Sequence, residues 1–337
     1  MRTLRIALFL GALLPITLAF QPRGTSLTHK VVEGQTLTKT FDQDFTMTLE
    51  DVSVTVMGEE MEIPEIPENI IHSTESIVFT DTVGAVADNK AQRVARTFET
   101  LNRTRTNTTP DGEESMEETS DLEELEVVFA WDADDEEYAV DFGEDVEDGD
   151  TDLLEGIWFE ADLAEFLPGG DVEEGDTWEV DYQAWRRLNE PSGDLTFLDE
   201  EGESTRDELD DMLSDNVEGE VTCEFKGVRE VDGQRVGVIA IHVESETSAT
   251  LETDMMDMME PGAVSSATQT REVNVEGEFE GELLWLIEEG RCLSYSGTGS
   301  SEIEVIETAS ISGDMGDFEQ TQVLNFLGEG EIEITFE

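Results

Sequence analysis

From Val273 to Ile287 every second residue is apolar or glycine: Val273, Val275, Gly277, Phe279, Gly281, Leu283, Trp285 and Ile287. Glu272, Asn274, Glu276, Glu278, Glu280 and Glu282 alternate with them. Period two over that length predicts one long strand with a buried face and a solvated face. A Glu288-Glu289-Gly290 turn leads to a second run through Leu293, Tyr295, Gly297, Gly299, Ile303 and Val305. A third carries Leu324, Phe326, Gly328, Gly330, Ile332, Ile334 and Phe336. Short connections make these runs antiparallel neighbours. Upstream, Val221, Cys223 and Phe225 lead through Asp232-Gly233 into the apolar run 236–243, a hairpin signature. Glycines inside the alternating runs imply bends, so the sheet is expected to curve.

The N-terminal half carries the same period. Leu37, Phe41, Phe45, Met47 and Leu49 alternate with polar residues, and Val52, Val54 and Val56 continue in the opposite phase, which requires a turn or bulge near Glu50-Asp51. Pro64 and Pro67 mark an extended connection before a strand over 77–87, and a hairpin follows over 125–142 with its turn at 132–136. The polar stretch 106–121 reads as a solvated loop. Helical spacing is confined to the middle. Leu153, Leu154, Ile157, Ala161 and Ala164 recur on one face until Pro168-Gly169-Gly170, Asp181 is placed to cap a short helix through Leu188, and a third helix is expected over 204–214. The fold expected is therefore mainly β: long curved antiparallel sheets with the curvature of a half-barrel and a few central α-helices. Four segments are read, 1–19 as a signal peptide, 20–150 and 218–337 as β-rich halves that can share one domain, and 151–217 as a helical, acidic connection.

Arg2 and Arg5 precede an apolar run from Ile6 to Phe20, with small residues Thr17 and Ala19 where a signal peptidase reads them. At about 15 residues the run is short for a membrane span. Export with cleavage after Ala19 is expected, to the periplasm or the extracellular space, leaving no integral membrane segment. The charge sharpens the picture. With 84 acidic against 18 basic residues the chain carries a formal charge of −66, and cleavage makes it two units more negative. Self-repulsion at this density requires screening, so salt or divalent cations are expected partners and nucleic acid is not.

Candidate chemistry is sparse. No GxSxG, CxxC, HExxH or P-loop spacing occurs, and His29, His72 and His242 are scattered, so a non-enzymatic protein is expected. Asp132, Asp134 and Glu136, and Asp148, Asp150 and Asp152, alternate like EF-hand ligands but lack the central glycine. Calcium is the cofactor they would take; solvated turns are the plainer alternative. Met255, Met256, Met258 and Met259 suit either Cu(I) or a flexible apolar flap. Outside the cytoplasm a Cys223–Cys292 disulfide is chemically allowed, although strand phase puts Cys292 opposite the Leu293 and Tyr295 face. The basic island of Lys90, Arg93, Arg96, Arg103 and Arg105 either pairs with the chain's own carboxylates or holds an anion.

The strings 172–181 (VEEGDTWEVD), 80–98 and 227–235 (GVREVDGQR) resemble a group of uncharacterised exported β-rich proteins of environmental bacteria. That resemblance implies no activity. Long curved strands with central helices are also similar, at fold level, to the half-barrels of periplasmic lipoprotein carriers. The expectation is a protein that binds an apolar or amphiphilic ligand, a lipid or lipoprotein, on a curved sheet whose inner face presents Phe279, Leu283, Trp285, Tyr295 and Phe326. The alternatives are a structural or interaction module of the cell envelope whose apolar faces its own core fills, and a calcium- or copper-binding exported protein.

Overall fold

The computed structural model describes residues 24–337 apart from 64, 147–148, 161–162, 203, 205–211, 215, 256–263 and 314–315. The stretch 1–19, read above as a signal peptide, lies outside these residues. A 14-stranded antiparallel sheet dominates. Its middle is formed by β12 (Glu218–Val231), β13 (Gln234–Asp254), β14 (Val264–Leu286), β15 (Arg291–Gly313), β16 (Gly316–Phe336) and β2 (Thr36–Val56), side by side in that order. The sheet continues through β4 (Ile70–Ala87), β5 (Lys90–Thr109), β6 (Gly112–Ser120) and β11 (Phe197–Leu198), and β10 (Thr177–Val180) closes the other edge on β12. β3 (Glu59–Met61) adds to β2, and the hairpin of β7 (Glu126–Asp132) and β8 (Glu137–Phe142) hangs from β5. A two-stranded pair of β1 (Thr25–Ser26) and β9 (Asp171–Val172) stands apart. Pairing of β16 with β2 joins the two β-rich halves into one sheet.

Local chemistry explains the connections. Asp232 and Gly233 have φ of 50° and 81°, the left-handed pair that a two-residue hairpin turn demands. Leu49 pairs with Phe326 and Asp51 with Asn325, so Glu50 is the extra residue of a bulge, and the phase change read in the sequence is real. A second bulge was not expected. Leu284 faces Ser294 and Trp285 faces Cys292, which leaves Leu293 unpaired and turns Cys292 onto the buried face. Two other expectations are corrected. The 106–121 stretch is the β5–β6 hairpin rather than a loop, because backbone pairing tolerates side chains that are polar on both faces. The 153–164 stretch is not an α-helix but two 3₁₀ turns, Thr151–Leu154 and Ala164–Phe166. Gly156 at φ 75° and Leu163 at φ 58° interrupt the helical path.

The apolar face of the sheet is roofed by residues 150–198. Helix α1 (Tyr182–Asn189) is capped as its sequence suggests, with Asp181 Oδ1 accepting from the Gln183 amide at 2.9 Å, and it buries Ala184, Trp185 and Leu188. With Ile157, Leu163, Phe166 and Leu195 these form one core with Phe41, Ile77, Phe79, Phe98, Ile239, Leu283, Tyr295 and Ile334 of the sheet. Each fully buried large apolar side chain contributes about 1.5–3 kcal/mol. A smaller cluster of Leu49, Ala249, Val273, Val305 and Phe326 lies farther along the strands, against Met212 and Leu213. The third expected helix lies mostly outside the described residues, of which 212–214 are helical. No helix among the described residues is long and apolar enough to cross a membrane.

Candidate functional site

The inner face predicted from strand phase is buried, but by the protein itself. Leu283, Trp285 and Tyr295 are fully buried and Phe326 is nearly so. The Trp185 ring of α1 packs on Phe279 at 5.2 Å and on Tyr295 at 6.5 Å. Gly281 and Gly297 pair across β14 and β15 beneath the Tyr295 ring, where a Cβ on either would collide with it. Tyr295 and α1 therefore close this region to a guest, and the expected ligand groove does not lie there.

The structure places the cysteines on strands β12 and β15, both buried and neither in a disulfide. Two strands stand between them and the register offsets them along the strands as well, so their backbones are more than about 14 Å apart and the disulfide is not formed. Burial pushes the Cys223 thiol up to about 12. The sign follows from linkage. Above its ordinary value of 9.0 an unfolded thiol ionises while the folded one keeps its proton. Cys223 therefore contributes stability below pH 9 that is lost as pH rises toward 12. Alkylation with iodoacetamide at pH 8 should modify neither cysteine in the native protein and both in denaturant. Rapid native labelling of one thiol would contradict this burial.

The acidic turns serve their own backbone. Asp132 Oδ1 accepts from the amides of Asp134, at 2.8 Å, and Asp135, and Asp150 Oδ1 accepts from Asp152 at 3.1 Å. No cluster of three or more metal-binding side chains occurs among the described residues, so the carboxylates of Asp132, Asp134, Glu136, Asp150 and Asp152 do not converge as a calcium cage would require. Asp148 lies outside those residues. So do Met256, Met258 and Met259, whereas Met255 is half-buried at the end of β13, its amide donating to the Ala267 carbonyl at 2.9 Å.

Sequence reasoning read only one member of a buried charge network, placing Arg96 among bases that pair with the chain's own carboxylates and passing over Lys39, Asp81 and Glu160. Lys39, Asp81, Arg96 and Glu160 are each at most 4% exposed. Arg96 faces Asp81 directly across β4 and β5 and binds it with both Nε (2.7 Å) and Nη2 (2.8 Å). Its Nη1 and Nη2 reach Glu160 at 3.0 and 2.7 Å, and Nη1 also donates to Ser192 Oγ. Lys39 Nζ completes the set, 2.8 Å from Asp81 and 3.5 Å from Glu160. Two cations thus meet two anions. The Phe79 ring lies 3.8 Å from the guanidinium carbon. Burial works against the charges of Arg96 and Asp81, yet their partners outweigh it. Arg96 is held above its ordinary value by Asp81 and Glu160, and Asp81 below its own by Arg96 and Lys39. Because Glu160 and Ser192 belong to the roof, the network ties roof to sheet. Its signal was present in the sequence: Lys39 lies between Leu37 and Phe41, Asp81 follows Phe79, and Arg96 lies between Val94 and Phe98, all in apolar phase.

Beside the network, with Asp81 in its wall, a cavity of about 680 Å³ opens between sheet and roof. Residues 29–37, the β4–β5 turn, the β7–β8 hairpin, residues 157–159, Glu165 and Arg187 line it. Aromatic contacts link its walls: Tyr138 meets Trp131 at 5.2 Å and Phe159 at 4.9 Å, both edge to face. Trp158 also lines it, and the Trp158 Nε1–H is buried without an acceptor among the described residues. Leaving such a donor unpaired costs about 1–3 kcal/mol. Lys30, Lys90, Glu136, Glu137 and Arg187 add charge to the lining. The rest of the basic island is largely committed to the chain's own carboxylates, Arg103 to Glu75 and Glu118 and Arg105 to Glu118.

No protein-family model matches the chain, and no curated protein matches it significantly.

Proposed function

We propose that this chain is a non-enzymatic exported binding protein that carries an amphiphilic ligand in the aromatic cavity between sheet and roof. The observation that carries the reading is the cavity itself: about 680 Å³, within the roughly 300–1,000 Å³ typical of small-molecule sites. Its walls are aromatic and charged groups share the lining, a division that fits a guest with an apolar body and a polar head. The site is assigned here because the face around Phe279, Leu283, Trp285 and Tyr295 is filled from within. Export rests on the Arg2, Arg5 and 6–20 pattern and is tested by the N-terminus of the secreted form.

A neutral dansyl-labelled acyl amide is expected to bind saturably, with energy transfer from tryptophan. Trp158→Ala together with Tyr138→Ala should weaken it at least about tenfold, while Phe318→Ser, at an exposed position elsewhere, should leave it unchanged. The second reading, a structural module of the cell envelope, is favoured by that internally filled face. A cooperatively folded protein that takes up no acyl probe would decide for the module.

A further inference from the structure

One corner of the cavity already holds a cation. The Lys90 ammonium lies over the Trp131 ring and 5.6 Å from the centroid of Tyr138. The cage around it is fixed: Tyr138 is wedged between Trp131 and Phe159, and its hydroxyl donates to the Ala91 carbonyl at 2.8 Å. The lysine follows the tight Asp88-Asn89 turn, where φ is 51° and 60°, and its ammonium is held by the two rings. Among the described residues it makes no ion pair, and Glu136 is the carboxylate whose charge acts on it. A rigid aromatic corner is thus occupied by an ammonium on a flexible four-carbon stem.

We infer that the Trp131–Tyr138 corner recognises an organic ammonium group of the ligand, which displaces Lys90. The inference rests on the cavity being a ligand site and names the chemistry of the ligand's head. Three observations favour a cation over an anion. The chain's charge of −66 enriches cations around it. The other two Lys and Arg side chains of the lining are engaged, Arg187 with Glu165 and Lys30 with the Glu288 carbonyl at 2.6 Å, so no pair of permanent cations awaits a carboxylate. Glu136, exposed in the β7–β8 turn, is on hand to receive the ammonium of a displaced Lys90.

The test titrates three probes of one acyl chain length, ending in trimethylammonium, carboxylate or neutral amide, at about 0.15 M salt. The ammonium probe should bind tightest. Lys90→Ala should raise its affinity about 3- to 30-fold by removing the resident competitor, and Trp131→Ala should lower it at least as much. Trp131→Phe keeps a ring in place and should retain part of the binding, which separates loss of the cage from loss of fold. Tighter binding of the carboxylate, weaker ammonium binding by Lys90→Ala, or ammonium binding indifferent to Trp131→Ala would each overturn the inference while leaving the cavity reading intact. If the neutral amide also fails to bind, the cavity reading falls and the inference with it.

Discussion

Arg96→Met is expected to lower the unfolding free energy by about 3–5 kcal/mol, the range found when one partner of a buried ion pair is removed. Arg96 is fully buried and supplies five hydrogen bonds to Asp81, Glu160 and Ser192. Without it two buried carboxylates share Lys39 alone, and the desolvation that Arg96 offset falls on them. The neighbouring Arg93 is exposed, so Arg93→Met should stay within about 0.5 kcal/mol of wild type. Asp81 adds a pH signature. Its folded value lies below the ordinary 3.8, so it contributes stability above that pH which is lost as pH falls through the lower folded value. A denaturant midpoint for Arg96→Met close to that of Arg93→Met would mean that the network is not what fastens the roof to the sheet.

Salt should have the second large effect. Moving from about 0.05 to 1 M sodium chloride shortens the Debye length from above 10 Å to about 3 Å and should raise the thermal midpoint by roughly 10 °C or more. The reason is visible in the register of the outer face. Glu220, Glu244 and Glu278 lie directly opposite one another on three adjacent strands, and Glu218, Glu246, Glu276 and Glu302 do so on four. Like charges in cross-strand pairs oppose pairing, and 18 bases cannot compensate 84 acids. A midpoint that does not move over this range would remove repulsion from the account of stability.

The long strands were legible because period two is a direct record of a half-buried sheet: the runs from Val273, from Leu293 and from Leu324 became three adjacent strands, and Asp232-Gly233 became their neighbouring hairpin turn. The fold class follows from those runs. What covers the sheet was not legible, since the roof is irregular and its apolar residues have no period to read. Gly156 and Leu163 break the helical spacing that the sequence displays. β6 was missed because Glu113, Glu114 and Glu117 offer no buried face, only backbone groups. The inner-face aromatics were correctly expected to turn inward. Phe279 and Tyr295 pack on Trp185 of α1 rather than on a guest. The cavity joins residues 29–37, 81–94, 131–138 and 157–165, stretches whose convergence only tertiary structure records. Lys39 and Asp81 left the clearest unread mark, two charges placed where their strands otherwise put apolar side chains.

The central claim, that any ligand occupies the aromatic cavity and not the sheet face or the hairpin tips, is tested most directly by photo-crosslinking a diazirine-bearing acyl probe to the folded protein and mapping the adducts by mass spectrometry. Adducts confined to peptides around Trp131, Tyr138 and Trp158, and lost on competition with unlabelled probe, are the predicted result. Competable adducts around Phe279 and Tyr295, or around the exposed Met57 and Phe318, would contradict it.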